Sequence, residues 1–193
     1  MADLTYAASK IRTIADWPSE GIIFKDITPL LADPTAMQSV VHAIAELGKD
    51  VDLVAGIEAR GFVFASAVAH ELKKGFVPIR KKGKLPYKTH AQEYGLEYGE
   101  GILEIHTDAI KPGQKVLLID DVLATGGTLT AASQLIEKCG GIVSNVVLLL
   151  EIKELPGRNK LKIKANSFTK AIFISLWAFS MDLAASATLM LGA

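Results

Sequence analysis

Two adjacent carboxylates stand directly before a short run of glycines and hydroxyl residues. Asp120 and Asp121 follow four apolar residues at 116–119, which predict a buried parallel strand, and precede Ala-Thr-Gly-Gly-Thr at 124–128. A helical pattern then runs over 129–138. Backbone N–H groups of a glycine-rich turn at a helix N-terminus can hold a phosphate, and carboxylates accept hydrogen bonds from vicinal hydroxyls. The pattern therefore predicts a site for a phosphorylated sugar at the carboxyl end of a strand.

The glycine loop differs from the Walker loop that binds nucleoside triphosphates. The spacing G-x-x-x-x-G-K-[ST] is absent, and no lysine follows Gly127. Gly126 and Gly127 permit a close backbone approach, and the Thr125 and Thr128 hydroxyls can donate hydrogen bonds. The alternative is a strand, a tight turn and a capped helix without a ligand. The acidic pair combined with Thr-Gly-Gly-Thr makes that alternative the weaker interpretation.

The composition indicates one globular domain of 193 residues, of which 50% are hydrophobic and 22% charged. Acidic and basic residues number 21 each, so no basic field favours nucleic acid. The single Cys139 excludes an internal disulfide, and the N-terminus lacks a signal-peptide pattern. The histidines have no metal-ligand spacing. We expect a cytoplasmic protein with no structural metal, no nucleic-acid partner and no membrane attachment.

Strand and helix patterns alternate along the chain, which predicts an α/β fold. The predicted helices are 3–15, 34–48, 62–73 and 129–138. The predicted strands are 51–57, 75–79, 102–106, 116–119 and 142–150. The stretch 87–101 is expected to be a long loop that acts as a lid or is disordered. His106 alternates with apolar neighbours and is expected to point outward, with no assigned role.

Cationic side chains follow two of the predicted strands. Arg60 lies at the start of the helix 62–73, where a cation is disfavoured unless an anionic partner is present. A salt bridge at the helix start is the common use of such an arginine, but an anionic partner at this position is the better explanation. The run Arg80-Lys-Lys-Gly-Lys84 places four cations in five residues after the strand 75–79. That run is either a solvated edge or a clamp for a pyrophosphate.

An apolar segment lies in the loop-like stretch 16–29, which Pro18, Gly21 and Pro29 interrupt. The segment, Ile22-Ile23-Phe24, is either a lid over the core or one side of a slot for a flat ring. In the second case the Phe24 ring offers a stacking face. The backbones of Ile23 and Lys25 would then hydrogen-bond the edge of a base.

Residues 116–128 resemble the signature of the type I phosphoribosyltransferases, which binds 5-phosphoribosyl 1-pyrophosphate (PRPP). Residues 17–31, W-P-x-x-G-I-x-F-K-D-I-T-P-L-L, resemble the opening of the adenine phosphoribosyltransferases. The resemblance covers residues 10–161 by inspection. It implies an open, mostly parallel twisted sheet flanked by helices, with a small N-terminal hood over adenine. It also implies a homodimer and the Mg²⁺-dependent conversion of adenine and PRPP to AMP and pyrophosphate.

The resemblance also implies roles for individual residues. Glu97, within Leu96-Glu-Tyr-Gly99, is implied to be the general acid/base on a flexible loop over about 84–98. Mg²⁺ is implied to be carried by PRPP near the acidic pair, without a dedicated protein site. The peptide bond before Arg60 is expected to be cis, and Arg80 is expected near the dimer interface and the partner's active site. The implied adenine contacts are Ile23, Phe24, Lys25 and Ile152. The implied PRPP or AMP contacts are Arg60, Arg80, Lys84, Tyr98, Asp120, Asp121, Ala124, Thr125, Gly126, Gly127 and Thr128.

These patterns divide the chain into an N-terminal helix and hood at 1–32, a core at 33–161 and an apolar tail at 162–193. The tail departs from the family and carries one charge, Asp182, after residue 170. We expect a strand at 169–176 followed by a helix or a loose apolar end, with a membrane span and a reading-frame artefact as alternatives. The functional alternatives are a phosphoribosyltransferase for another purine or orotate, and a PRPP-binding regulator without turnover.

Overall fold

The computed structural model describes residues 4–21, 23–96, 99–152, 157–161 and 165–167. The helices are α1 (Leu4–Ser9), α2 (Thr28–Ala32), α3 (Pro34–Glu46), α4 (Arg60–Leu72), α5 (Gly127–Lys138) and α6 (Gly157–Lys160). The strands are β1 (Arg12–Ala15), β2 (Ile23–Asp26), β3 (Leu53–Ile57), β4 (Gly75–Lys81), β5 (Thr89–Leu96), β6 (Gly99–His106), β7 (Lys115–Leu123), β8 (Ile142–Glu151) and β9 (Ala165–Ser167). Within these ranges, every helix is too short or too polar to cross a membrane.

The main sheet has seven strands in the order β5-β6-β4-β3-β7-β8-β9. Strands β4, β3, β7, β8 and β9 are parallel, and the antiparallel hairpin β5–β6 extends the sheet beyond β4. The chain leaves β3 through α4 to reach β4 on one side, whereas β7 lies on the other side. Such a reversal leaves a crevice at the carboxyl ends of the two strands, where open α/β sheets bind ligands.

The core has one layer on each face of the sheet. Alternate residues of β7 point to opposite faces, so Leu117 and Ile119 pack with α1–α4, while Val116 and Leu118 pack with α5. Burial on both faces explains the unbroken apolar run before the acidic pair. Helix α3 begins as predicted, because Pro34 occupies its first turn and the Asp33 carboxylate accepts a hydrogen bond from the Ala36 N–H at 2.9 Å.

The prediction of a helix over 3–15 is wrong beyond residue 9. Helix α1 ends at Ser9, and residues 12–15 form β1, which pairs antiparallel with β2 in a separate two-stranded sheet. We call residues 12–26 the N-terminal hairpin. The Arg12 Nε donates to Asp26 Oδ2 at 3.0 Å, which fastens the two strands. Local helical periodicity was overridden here by pairing with a distant strand, and the β-branched Thr13 and Ile14 suit that strand.

The prediction of a loop over 87–101 is wrong for residues 89–96 and 99–101, which are in strands. Strand β5 pairs with β6 residue by residue, from Thr89 opposite His106 to Leu96 opposite Gly99. Because β5 lies at the edge of the sheet, it lacks the continuous apolar run of a central strand. Its tyrosine, glutamine and glycine residues therefore had the composition of a loop.

Two other sequence predictions have mixed outcomes. His106 is partly buried, so the outward orientation expected for it is wrong. The Tyr87 ring packs edge-on against it, with the two ring centroids 6.1 Å apart.

Strand β9 pairs parallel with residues 146–148 of β8. The strand expected at 169–176 and the alternatives for the tail lie outside the described residues.

Candidate active site

A cleft opens at the carboxyl ends of β3 and β7, and its empty space, counted together with the open solvent at its mouth, is ≈ 680 Å³. Five of the predicted site residues line it: Phe24, Arg60, Asp120, Asp121 and Thr128. The cleft is also lined by residues that were not among the individually predicted contacts: Trp17, Ile57, Glu58, Ala59, Tyr94, Leu103 and, from the cationic run, Lys81.

Asp120 and Asp121 are only 5% and 3% exposed. Strand β7 continues through both to Leu123, so the carboxylates lie inside the strand and not beyond its end as predicted. The Asp121 N–H donates to Asp120 Oδ1 at 2.9 Å. Burial raises the pKa of both carboxyls, and the charge of Asp121 raises the pKa of Asp120 further. Such a pair favours hydroxyl or cationic ligands that supply the interactions lost to burial.

Arg60 opens α4 and connects the acidic pair to the N-terminal hairpin. Its Nε lies 2.7 Å from Asp121 Oδ2, and its guanidinium carbon lies 5.6 Å from the centroid of the Phe24 ring. The arginine side chain keeps 30% exposure, whereas that of Asp121 has 4%. The salt bridge considered for Arg60 is therefore present, with Asp121 as its partner. The Arg60 side chain still borders the cleft, where an anion would bind. The cis non-proline peptide bond joins Glu58 to Ala59, one bond earlier than expected.

The loop at 124–126 and the start of α5 have the geometry of a phosphate cradle. Gly126 has φ +81°, a value that glycine adopts without strain, and α5 begins at Gly127. The backbone also approaches α6 closely, because a Cβ on Gly126 would lie 2.8 Å from the Gly157 carbonyl oxygen. The prediction of a tight turn is therefore confirmed at Gly126, whereas Gly127 is already the first residue of a helix that begins two residues earlier than predicted. Their contact with a phosphate stays a prediction.

The N-terminal hairpin supplies the aromatic wall of the cleft. Phe24 lies on β2, and its ring meets the Trp17 ring edge-on, with centroids 4.4 Å apart and an interplanar angle of 61°. Ile23 and Lys25 flank Phe24 on the strand, and the Lys25 Nζ donates to the Thr13 hydroxyl at 2.8 Å. Ile152 follows β8, and its N–H donates to the Leu123 carbonyl at 2.9 Å. The described lining of the cleft includes Phe24 but not Ile152, so the apolar contact opposite Phe24 stays a prediction.

Glu58 organises the cationic run beside the cleft. Its carboxylate accepts hydrogen bonds from Arg80 Nη2 at 2.8 Å and from the Lys81 N–H at 3.1 Å. Burial alone would raise the pKa of Glu58, but these donors outweigh it and hold the pKa below its usual range. Arg80 Nη1 also donates to the Lys84 carbonyl at 2.8 Å, while the Lys84 side chain is exposed and outside the described lining. The structure thus brings Lys81, and not Lys84, to the cleft.

Two residues that line the cleft, Glu58 and Tyr94, were not predicted from the sequence, for different reasons. Glu58 lies immediately before Ala59-Arg60 at the end of β3, so its position at the carboxyl edge could have identified it. Tyr94 gave no signal, because its strand was interpreted as a loop. The predicted Glu97 and Tyr98 lie outside the described residues. Their described neighbours, Leu96 and Gly99, are paired across the β5–β6 hairpin.

The donor set of the cleft fits a divalent cation that arrives with its substrate. Among the described residues, no group of three or more histidine, cysteine or acidic side chains could hold a metal ion. Asp120 and Asp121 offer buried carboxylate oxygens at one place. Mg²⁺ typically keeps several waters and takes one or two carboxylates together with substrate phosphates. The residues present therefore fit Mg²⁺ with few protein ligands.

Comparison with known proteins agrees with this geometry. The phosphoribosyl transferase domain model matches residues 27–182, which extends past residue 161, where the resemblance was expected to end. The adenine phosphoribosyltransferase of Kosmotoga olearia is 57% identical over 153 residues, which are 78% of this chain and 90% of that protein. The chain belongs to the adenine phosphoribosyltransferase family. The family member from Thermobifida fusca is 56% identical over 153 residues, which are 78% of this chain and 87% of that protein.

Solved structures of family members share the fold. The adenine phosphoribosyltransferase of Thermoanaerobacter pseudethanolicus superposes with a TM-score of 0.81 at 47% identity, covering 85% of this chain and 97% of that chain. The enzyme of Saccharomyces cerevisiae, complexed with an imino-altritol bisphosphate and adenine, gives a TM-score of 0.81 at 33% identity, covering 86% and 99%. The predicted type I phosphoribosyltransferase fold, with its mostly parallel sheet, is therefore confirmed.

In this family member, replacing Asp120 with asparagine is expected to stabilise the ligand-free protein at alkaline pH. The pKa of Asp120 is raised in the folded protein. The protonated Asp120 side chain therefore stabilises the fold most at a pH below the ordinary carboxyl pKa. This stabilisation is lost as the pH rises through the folded-state pKa of Asp120. Asparagine cannot ionise, so Asp120→Asn should melt a few degrees above wild type at pH 8 and less so at pH 5. Thermal denaturation at both pH values measures this. The exposed Asp50→Asn is the control, and an equal shift at both pH values would contradict the expectation.

Proposed function

We infer that this chain is an adenine phosphoribosyltransferase, which converts adenine and PRPP to AMP and pyrophosphate. The observation that carries the inference is the convergence of three features on one cleft: the buried carboxylate pair, the glycine loop at a helix start and the aromatic wall around Phe24. Each feature suits one part of the substrates, namely the ribose, the phosphate and the base. Membership of the family supports the same assignment.

The phosphate loop at 124–128 holds the 5′-phosphate of PRPP through the backbone N–H groups of the turn and the threonine hydroxyls. The acidic pair lies directly before the loop on β7, so Asp120 and Asp121 accept hydrogen bonds from the ribose hydroxyls. Arg60 and Lys81 border the same cleft and supply positive charge for the pyrophosphate. Lys84 is a further proposed pyrophosphate contact, although its exposed side chain lies outside the described lining of the cleft. Tyr98 is a further proposed PRPP or AMP contact.

The reaction is a displacement at the anomeric carbon of the ribose. A bond forms from an adenine ring nitrogen to that carbon, the bond from the carbon to the pyrophosphate oxygen breaks, and its electron pair leaves with pyrophosphate. Adenine loses one ring proton. The sugar passes through an oxocarbenium-like state, as in glycoside chemistry, and the negative charge of the acidic pair favours it. Arg60 stabilises the charge that develops on pyrophosphate.

The adenine ring stacks on Phe24, and the backbones of Ile23 and Lys25 hydrogen-bond its edge. Ile152 provides the opposite apolar contact. Glu97 acts as general acid/base at the ring nitrogen opposite the one attacked. Support comes from the position of Phe24 in the cleft and from the β5–β6 hairpin, whose described residues 89–96 lead directly to Glu97. Movement of residues 84–98 would exclude water and protect PRPP from hydrolysis.

Mg²⁺ is the proposed cofactor, bound with PRPP near Asp120 and Asp121. When bound, it neutralises charge on the phosphates of the substrate. The buried carboxylates fit this role because a cation offsets their unfavourable ionisation. Removing divalent ions with a chelator is expected to stop turnover and to leave the folded protein intact, as monitored by circular dichroism.

The decisive experiment is AMP formation from adenine and PRPP with Mg²⁺, with hypoxanthine and guanine as alternative bases. We expect turnover with adenine and at least 100-fold less with the other purines. A site built to hydrogen-bond one base edge leaves polar groups unpaired with another base, an effect of about 10⁵-fold at its largest. Equal turnover of hypoxanthine would assign the protein to another purine. PRPP binding without turnover of any base would support a regulatory protein.

We also propose a cytoplasmic homodimer. The free, buried Cys139 is compatible with a reducing compartment. Arg80 is the proposed contributor to the partner's site. Its guanidinium is held at the carboxyl end of β4 by hydrogen bonds to the Glu58 carboxylate and to the Lys84 carbonyl. Sedimentation equilibrium measures the oligomeric state, and a monomer at micromolar concentration would exclude a shared site.

A further inference from the structure

Glu104 is a buried carboxylate that has no part in the proposed reaction. It lies on β6 with 9% exposure. Its neighbours Leu103 and Ile105 belong to the core layer beneath α5, so the side chain of Glu104 points to the other face of the sheet. A buried carboxylate needs hydrogen-bond donors. Glu104 Oε2 accepts one hydrogen bond from the Gly83 N–H at 2.9 Å, which joins β6 to the cationic run.

The cationic run folds into a tight turn at Gly83, where φ is +76°. The bond that closes this turn, from the Lys84 N–H to the Lys81 carbonyl, is 3.3 Å long, beyond the usual range for a backbone hydrogen bond. The Lys82 N–H donates to the Ile102 carbonyl of β6 at 3.0 Å. The turn is therefore held mainly from outside, by a carbonyl of β6 and by the buried carboxylate.

A second carboxylate holds the start of the run. Arg80 lies between Glu58 and Glu104 in the sheet, because the Glu58 N–H donates to the Ile79 carbonyl at 2.9 Å and Arg80 is paired with Glu104 across β4 and β6. The Arg80 side chain bonds the Glu58 carboxylate and the Lys84 carbonyl. Glu58 thus fixes the start of the run through Arg80, and Glu104 fixes its turn.

The electrostatics of the run explain why it needs such anchors. Four cations within five residues repel one another, and this repulsion opposes a tight turn in the absence of an anion. Two nearby carboxylates offset part of that charge. Lys81 lines the described cleft, so the conformation of the turn decides whether its charge is in place when an anion arrives. A turn that had to be ordered by the ligand would lower the affinity for that ligand.

We propose that Glu104 is a positioning residue for the pyrophosphate group, whose carboxylate holds the turn of the cationic run so that Lys81 faces the cleft before the anion binds. The inference rests on the proposed function, which assigns the pyrophosphate to this end of the cleft. Glu104 is outside the described lining of the cleft, so it acts through the turn and not by touching the ligand.

The test measures binding of pyrophosphate, in the presence of Mg²⁺, to the intact protein by isothermal titration calorimetry. Glu104→Leu keeps the approximate size of the side chain and removes the acceptor, so we expect the Kd for pyrophosphate to rise by about 5–20-fold, the size of one hydrogen bond to a charged group. Glu104→Gln keeps an acceptor oxygen and removes a negative charge near the anion. It should therefore bind pyrophosphate at least as tightly as wild type.

Two controls separate positioning from a general loss of structure. The Kd for ribose 5-phosphate, which binds at 124–128 in the proposed function, should stay within about twofold of wild type in both Glu104 variants. Glu93→Leu removes an exposed carboxylate from the neighbouring strand β5 and should leave the Kd for pyrophosphate unchanged. Wild-type or tighter pyrophosphate binding by Glu104→Leu, or equal weakening in Glu104→Leu and Glu104→Gln, would overturn the inference.

Hydrogen exchange tests the contact in the wild-type protein, without any variant. The Gly83 amide is exposed at residue level, yet its N–H is bonded to a buried carboxylate. In the ligand-free protein we expect this amide to exchange more slowly than an amide of an unstructured peptide, as measured by nuclear magnetic resonance. Exchange at the unstructured rate would show that the turn is not held before the anion binds, and would overturn the inference even if Glu104→Leu failed to fold.

The outcomes distinguish this inference from the proposed function. Pyrophosphate binding that depends on Glu104, without AMP formation by the wild-type protein, keeps the positioning role and removes the enzymatic assignment. AMP formation by the wild-type protein, with pyrophosphate binding unchanged in Glu104→Leu, keeps the enzyme and removes the role of Glu104. In the active protein we expect Glu104→Leu to raise the KM for PRPP and to leave the KM for adenine within about twofold, and Glu104→Gln to restore the KM for PRPP.

Discussion

Asp121→Asn is expected to lower kcat for AMP formation by about 10²–10³-fold, the usual effect of removing one preorganised electrostatic group from an active site. Asp121 performs two tasks in the structure. Its carboxylate lies in the cleft with 4% side-chain exposure, and it anchors the Arg60 Nε at 2.7 Å. Asparagine keeps the shape and removes the charge. The cationic sugar then loses a stabilising carboxylate, and Arg60 loses its anionic partner.

The kinetic signature of Asp121→Asn should lie in kcat more than in PRPP binding, because the sugar becomes cationic only near the transition state. Steady-state rates of AMP formation and calorimetric PRPP binding measure the two effects separately. Glu46→Gln is a matched control, since it removes the charge of an exposed ion pair with Lys49, at 2.6 Å, and such pairs contribute little. An Asp121→Asn rate within threefold of wild type would exclude the carboxylate from the reaction.

Glu97→Gln is expected to lower kcat by about 10²–10⁴-fold, the range over which a positioned general acid or base contributes. Glutamine can still occupy the position and accept a hydrogen bond at its carbonyl oxygen, but it cannot donate or remove a proton. Phosphate and ribose contacts come from other residues, so the Kd for PRPP should change far less than kcat. Single-turnover rates at saturating PRPP and adenine measure the loss directly.

The control for Glu97 lies four residues earlier in the chain. Glu93 is an exposed residue of β5, opposite Ile102 on β6, and Glu93→Gln removes the same charge four residues earlier. Its kcat should match wild type. A Glu97→Gln variant as active as Glu93→Gln would remove Glu97 from the mechanism and move the search for the general acid/base to the side chains that line the cleft.

The acidic pair and the loop after it could be predicted because their structure is locally encoded. The apolar run at 116–119 is buried on both faces of the sheet, and Gly126 adopts the positive φ that its residue type permits. A strand that ends near a glycine turn and a helix places its last residues at the carboxyl edge in any open α/β sheet. The sequence therefore indicated a sugar-phosphate site before any tertiary contact was known.

The errors fall where contacts between distant residues decide the structure. Residues 12–15 have a helical pattern, yet they pair with residues 23–26 because Arg12 and Asp26 meet across the N-terminal hairpin. The edge strand β5 has no apolar run, and its pairing with β6 gives it structure. Helix and strand propensities differ by less than about 1 kcal/mol per residue, so such pairing readily overrides them.

The sequence by itself determined the α/β fold, the glycine turn at the start of α5, the acidic pair and the family to which the chain belongs. Each of these depends on neighbouring residues whose backbone geometry or polarity is fixed by their own types. Only the tertiary structure decided that Lys81 and not Lys84 lines the described cleft, that Glu58 holds Arg80, and that Tyr94 lines the cleft beside Thr128. Those arrangements depend on the pairing of strands that are far apart in the chain. The pairing decides which side chains lie together at the carboxyl end of the sheet.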